Sequence, residues 1–257
     1  MFKAVIPARF ASVRLPGKPL LDLAGKPMVV RVAEQAARSK ANEILVATDH
    51  ADIAQTCKEH GIDCLMTRKD WPTGTDRLAE VAAQRGWSND TVVVNVQGDE
   101  PLLDPALINL VAQTLLEGDQ AIATCGHPIH SEEEFLNPNV VKIAMANNGE
   151  ALYFSRAPIP WPRQAMAAQR QAQADAVPLD FEAIRHIGLY AYRCGFLKKF
   201  QELAPAVTEQ QESLEQLRAL AHGHRIKVCM IQHVPDGGVD TPEDLERVRQ
   251  VLSNRPQ

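Results

Sequence analysis

The sequence predicts an α/β fold built on a mostly parallel sheet, and three observations carry that expectation. Short β-rich runs alternate with helical patterns as far as Gly118. TVVVNV (Thr91–Val96) is almost wholly β-branched, the mark of a strand buried on both faces. Glycines close successive helical stretches at Gly61, Gly86 and Gly118. This β-α-β-α order places helices on both faces of a parallel sheet.

The elements follow in order. Phe2–Ile6 is strand-like. Pro27 suits the first turn of a helix in which Met28, Val32, Gln35 and Ala36 recur at helical spacing. Glu43–Asp49 reads as strand, Ala51–His60 as helix, Ile62–Met66 as a short strand, Thr75–Arg85 as helix and Pro105–Glu117 as helix. After about Ala121 the rhythm changes. Gln120–Cys125, Val140–Ala146, Leu152–Phe154 and Ile187–Tyr192 are strand-like with fewer helices between them, which predicts a smaller mixed or antiparallel lobe at about 127–195. Arg163–Asp180 is polar and rich in Gln and Ala, and reads as a mobile surface segment or an excursion from the core. Glu212–Ala221 then reads as helix, Arg225–Gln232 as strand and Pro242–Leu252 as a closing helix. No repeat occurs at a fixed period.

Composition narrows the function. The 257 residues suit one large domain or two small ones. A net charge of -5 argues against a dedicated nucleic-acid binder. The five cysteines show no CxxC spacing, which supports neither a disulfide framework nor a zinc ribbon and fits a reducing cytoplasm. There is no signal-peptide-like apolar region and no apolar run long enough to span a bilayer, so no membrane association is expected.

Against that acidic background, ARFASVRLPGKPL (Ala8–Leu20) carries Arg9, Arg14 and Lys18 and no acid. A local basic loop suggests a small anionic ligand; a solvated loop with chance cations is the competing reading. It is not a P-loop, because Ser12 stands at the first glycine position and Pro19 follows the lysine, and GxGxxG occurs nowhere. Parallel α/β sheets bind ligands outside the carboxyl ends of their strands, so the residues after each strand matter most. Asp99 follows the buried TVVVNV run, although Gly98-Asp99 is also acceptable turn chemistry. Asp240 precedes the closing helix and could simply cap it. If Pro242 is the first helical residue, however, Thr241 is the cap, Asp244 completes a near capping box, and Asp240 lies one residue outside. Cations for a polyphosphate and carboxylates for its Mg²⁺ are then available at one sheet edge.

The remaining candidates are weaker. His127 and His130 read as structural or surface residues, and His222-Gly223-His224 as a helix end. His186 precedes a run in which Tyr190 and Tyr192 share one face and Ile187, Leu189 and Ala191 the other. Neither GxSxG nor HExxH appears.

Nine stretches in order then carry a resemblance: IPARFASVRLPGKPL, ATDH, TGTDRLAE, NVQGDEP, NPNVVKI, LYFSRAPIPW, RHIGLYAYR, SLEQLRAL and GVDTPEDLERV, from Ile6 to Val248. NVQGDEP or LPGKP alone would indicate only a broad sugar-nucleotide synthetase group. The full series resembles the 3-deoxy-manno-octulosonate (Kdo) cytidylyltransferase, or CMP-Kdo synthetase, family. The resemblance implies a single Rossmann-like domain over 1–257, of the nucleotide-diphospho-sugar transferase type, with the smaller lobe serving homodimerisation. It implies the reaction CTP + Kdo → CMP-Kdo + pyrophosphate, cytoplasmic, Mg²⁺-dependent and feeding lipopolysaccharide synthesis.

By the same resemblance, Arg9, Ser12, Arg14 and Lys18 wrap the triphosphate, while Thr73, Gly74 and Gln97 line the nucleotide side. Asp99 and Asp240 bind Mg²⁺ and form the catalytic set with Lys18. Arg77, Arg156, His186, Tyr190, Glu215 and Gln216 face the sugar, with the two arginines suited to its carboxylate. Arg163–Asp180 departs from the family pattern. The nearest competing reading is a cytidylyltransferase for another keto-sugar acid, such as 8-amino-Kdo or sialic acid. A competitor from another class is a non-catalytic nucleotide-binding protein.

Overall fold

Strand β1 (Phe2–Ala8) opens the chain in the computed structural model, which describes residues 1–11, 15–71, 73–172, 182–232 and 237–254. After it come α1 (Met28–Ala37), β2 (Glu43–Thr48), α2 (Ala51–Glu59), β3 (Cys64–Met66), α3 (Gly74–Gln84), β4 (Val92–Asn95) and α4 (Pro105–Glu117). The middle of the chain supplies β5 (Ile122–Pro128), α5 (Glu132–Leu136), β6 (Lys142–Met145), β7 (Ala151–Ser155), α6 (Arg163–Ala172) and β8 (Ile184–Arg193). It closes with α7 (Cys194–Phe200), α8 (Val207–Glu212), α9 (Gln216–Ala221), β9 (Ile226–Met230) and α10 (Pro242–Ser253).

The chain divides into two compact units. The first comprises Met1–Asp119, Leu189–Glu202 and Pro235–Gln257. Its strands run in the order β3-β2-β1-β4, all parallel, and the last residues of β8 add antiparallel to β4. Parallel pairs need crossover helices, which α1, α2 and α3 supply. Helix α1 buries Met28, Val29, Val32, Ala33 and Ala36 on one stripe, as the spacing predicts. All four residues of β4 are buried, as a β-branched run covered on both faces should be.

The second unit comprises Gln120–Gly188 and Leu203–Val234, where the sequence puts a smaller lobe at about 127–195. In it β5 and β9 pair in parallel, and β6 pairs antiparallel with β7 and with the first residues of β8. The mixed character expected after Ala121 is therefore present. No helix among the described residues is long and apolar enough to cross a membrane.

Two expectations need correction. The single helix expected over Glu212–Ala221 is two, α8 and α9, broken at Ser213, whose φ of 53° is left-handed. No glycine or proline announces that break. Tertiary bonds hold it, because the Glu212 carboxylate accepts from Ser155 Oγ at 2.6 Å and from the Arg156 backbone N–H at 2.9 Å. The segment Arg163–Asp180 is not wholly an excursion: its first ten residues form α6, and Met166 is buried in a cluster with Ile129, Phe135, Val140 and Ala183. Residues 173–180 lie outside those described.

Candidate functional site

In the first unit, Lys18 Nζ donates to Asp99 Oδ2 at 2.7 Å and to Asp240 Oδ1 at 3.1 Å. Three separate devices bring these groups together. Past β1 the Phe10 ring stacks on His50, with centroids 3.8 Å apart, and Leu15 is buried. Gly17, at φ +65°, then turns the chain into a short 3-10 turn, Lys18–Leu20. This delivers a lysine side chain only 12% exposed.

Asp99 is placed by the turn after β4, in which the Glu100 N–H bonds to Gln97 O at 3.2 Å. Gly98 is pressed against β1: a Cβ there would lie 2.6 Å from the Pro7 carbonyl oxygen, so the two backbones touch. Gly98→Ala is accordingly expected to cost about 1–3 kcal/mol, the usual range for overpacking against atoms that cannot yield. Urea denaturation checks this; an unchanged midpoint would show that the contact is not what holds the turn.

Asp240 is placed by a backbone bond from Val239 N–H to Asp99 O at 2.8 Å, so the two acid-bearing segments are tied directly. Thr241 caps α10, and its capping box with Asp244 is complete. Asp240 is therefore not the cap, and its side chain is directed to Lys18, as the Pro242 register predicts. Its own N–H is held by Asp244 Oδ2 at 3.1 Å. Arg247 closes the preceding loop by donating to the carbonyls of Gly237 and Gly238 at 3.0 and 3.2 Å.

A third acid, Glu100, was not expected from the sequence. Its carboxyl is pushed up to about 7: burial is the largest cause, the charges of Asp99 and Asp240 act the same way, and Lys18 and Arg247 oppose them. The Asp99 and Asp240 side chains keep 36% and 53% of their surface exposed, so both are open to a ligand from solvent. Two carboxylate oxygens already converge on one cationic nitrogen. An all-oxygen donor set of this kind fits Mg²⁺, which is commonly held by one or two carboxylates plus substrate phosphates. Among the described residues no three His, Cys, Asp or Glu side chains form a metal cluster by themselves.

The other expected site residues of this unit fall as follows. Arg9 directly follows β1, and Gln97 opens the turn after β4. Ser12 and Arg14 lie outside the described residues. Thr73 caps α3 in a box with Asp76, a TGTD signal that the Thr75 start of the expected helix overlooks. A Cβ on Gly74 would sit 3.8 Å from both the Asn95 amide and the Pro7 ring, which places it near the ends of β1 and β4. Tyr190 pairs in register with Asn95 and stacks on Tyr192, centroids 5.6 Å apart. Arg77 is fully buried on α3, bonded to Thr67 Oγ1 and to Asp49 Oδ2 at 3.1 Å. Its guanidinium thus holds the end of β2, which gives Asp49 of the ATDH stretch a role.

In the second unit, Arg156 donates through Nε to Glu212 O at 2.7 Å and through Nη1 to Pro138 O at 3.2 Å. Beneath it lies a residue that sequence reasoning missed. Lys142 is fully buried, and its Nζ donates to the carbonyls of Asn137, Val140 and Arg156 at 2.9, 2.6 and 2.6 Å. Burial lowers its pKa. The one signal was a lysine inside the apolar VVKIA run. Glu215 and Gln216 stand at the start of α9.

His186 Nε2 meets Thr124 Oγ1 at 3.1 Å, and its ring packs edge-on to Phe154. Its packed surroundings push the imidazole down to about 3, so it is neutral at pH 7. Below its ordinary value of 6.5 the unfolded chain binds a proton that the folded ring refuses. Stability is therefore expected to fall as pH drops from 6.5 towards 3, and His186→Gln to flatten that slope. Urea midpoints of both proteins across this range check it; equal slopes would show that other groups carry the dependence.

The sequence profile of a family described as cytidylyltransferase matches residues 3–226. The chain belongs to the cytidylyltransferase family. Among solved structures it is similar to a CMP:2-keto-3-deoxy-manno-octonic acid synthetase complexed with CTP, at 38% identity and a TM-score of 0.88, covering 98% of this chain and 99% of that one. It also shares its fold with a cytidylyltransferase from Leptospira borgpetersenii, at 16% identity and a TM-score of 0.61, covering 100% of this chain and 88% of that one. The resemblance read from the nine sequence stretches stands. This member of the cytidylyltransferase family is thus a nucleotidyltransferase with the expected nucleotide-diphospho-sugar transferase type of fold.

Proposed function

We propose that this enzyme transfers CMP from CTP to the anomeric hydroxyl of Kdo, releasing pyrophosphate. The observation that carries the reading is the convergence of Lys18, Asp99 and Asp240 beside the ends of parallel strands, in a chain of the cytidylyltransferase family. The hydroxyl attacks the α-phosphorus in line with the leaving pyrophosphate. Such transfers need positioning and charge neutralisation more than covalent help.

Asp99 and Asp240 would hold Mg²⁺, whose chemistry there is to neutralise phosphate charge. Lys18 would offer its ammonium, and Arg9 and Arg14 their guanidinium groups, to the phosphates. Ser12, Thr73, Gly74 and Gln97 complete the proposed CTP contacts. For the sugar the proposal retains Arg156, His186, Tyr190, Glu215 and Gln216, while Arg77, fully buried against Thr67 and Asp49, supports the site by holding the end of β2. Neutral His186 would then serve as a hydrogen-bonding group, not as a charge partner for the acid. Homodimerisation, a cytoplasmic setting and supply of lipopolysaccharide synthesis belong to the same proposal.

Pyrophosphate release with Mg²⁺–CTP tests it, with and without Kdo and with UTP, 8-amino-Kdo and sialic acid in parallel. Release that needs CTP and Kdo together supports it. Release with another keto-sugar acid keeps the phosphate side and replaces the sugar. CTP binding with no release across the panel, from folded protein, would point to a non-catalytic nucleotide binder.

A further inference from the structure

The cysteines are not scattered as their spacing suggests. Cys125 Sγ lies 3.2 Å from Cys229 Sγ. Cys125 and Cys229 are register partners on the parallel strands β5 and β9, so their side chains leave the same face. We propose that Cys125 and Cys229 form a reversible disulfide site that responds to hydroperoxides, and that closing it weakens binding of the acid sugar.

The backbone is already suited to the bond. Adjacent strands lie about 4.8 Å apart, inside the Cα separation of about 4.4–6.8 Å that disulfides span. The sulfurs need travel only about 1.2 Å from their 3.2 Å separation to reach bonding distance. Cys229 is half-buried and Cys125 fully buried, so an oxidant reaches Cys229 first. The hydrogen bond with the Cys229 sulfur, and then burial, push the Cys125 thiol up, which keeps its proton in place until the second step. The Cys229 thiolate attacks one peroxide oxygen and becomes a sulfenic acid as hydroxide leaves. The Cys125 sulfur then displaces the sulfenic oxygen, which departs as water with the Cys125 proton. Two thiols are oxidised and one peroxide is reduced to two waters. A thiol reductant reverses the bond by exchange.

The coupling to the sugar follows from Thr124. Reduced Cys229 donates its S–H to Thr124 O at 3.2 Å, a bond the disulfide removes. Thr124 Oγ1 in turn bonds to Ile187 O at 3.1 Å and meets His186 Nε2 at the same distance. Oxidation therefore acts on the support of His186. This second half rests on the proposed function; the disulfide itself does not.

The test is hydrogen peroxide treatment of the whole protein, thiol alkylation, digestion and mass spectrometry. The expected product is a Cys125–Cys229 cross-link lighter by two hydrogens, reversed by dithiothreitol and absent from Cys229→Ser. In Cys125→Ser, Cys229 should instead stop at a sulfenic acid that dimedone traps. Full alkylation of Cys229 after oxidation, or its passage to sulfinic acid without linkage, would overturn the site. In turnover, the KM for Kdo should rise about five-fold or more on oxidation, within the usual range of coupled sites, with the KM for CTP unmoved and Cys229→Ser insensitive. An unchanged sugar KM in protein shown to be cross-linked would overturn the coupling alone. A reduced protein with no activity on any sugar would overturn the functional reading and leave the cross-link result standing.

Discussion

Asp99→Asn is expected to lower kcat by about 10³-fold or more while the protein stays folded. Removing one preorganised group aimed at developing charge costs about 10²–10³ in kcat. Asp99 is proposed to do more than that, since the substitution also takes away one of two carboxylates available to Mg²⁺. The amide keeps the shape of the side chain, and at 36% exposure it is not buried without water. The backbone features that hold the turn remain: the Gly98 contact with Pro7 and the bond from Val239 N–H to Asp99 O. Steady-state rates over a Mg²⁺ titration, with circular dichroism as the folding control, give the result. Normal turnover at saturating Mg²⁺–CTP would make the metal assignment wrong.

Lys18→Ala should lose on the order of 10²–10³ in kcat, the range for one such charge partner. It carries a second signature that a residue merely near the substrate would not show. Lys18 is the ammonium that Asp99 and Asp240 share at 2.7 and 3.1 Å, and without it those two charges face each other across the same small space. The variant should therefore melt lower than the parent in EDTA and recover much of the difference when Mg²⁺ is added. A near wild-type rate at saturating CTP would remove Lys18 from the catalytic set. Melting that ignores Mg²⁺ would show that the carboxylates do not hold the ion in the absence of nucleotide.

Local signals made much of this legible in the sequence. The β-branched run Thr91–Val96 became the fully buried β4, and Pro242 with Asp244 fixed the register that leaves Asp240 outside α10. Both depend on neighbours within a few residues, where spacing is informative. What spacing could not show is which distant groups meet. Arg77 is expected at the sugar by resemblance, yet it is buried against an aspartate 28 residues away. Lys142 sits in an apolar strand because three backbone carbonyls surround its ammonium, an arrangement that only the folded loops create. The break at Ser213 follows from bonds made by Glu212 to β7 and the residue after it, not from any breaker residue. The short helices α5 and α7 have too few residues for their periodicity to stand out.

The span of chain between the three charged groups has a consequence for synthesis. Asp99 lies 81 residues after Lys18, and Asp240 lies 222 after it. Loop-closure entropy grows only as the logarithm of length, so the longer closure costs about 0.9 kcal/mol more than the shorter. The delay is in time, not energy. Chains emerge from the ribosome N-terminus first. A nascent chain can set Lys18 against Asp99 once β1 to β4 have been made, but the second carboxylate is translated only after β5 to β9. A polypeptide released early, anywhere before the α10 cap, would hold the basic loop and half of its counter-charge. The enzyme therefore has no complete charged centre until the segment leading into α10 has been made.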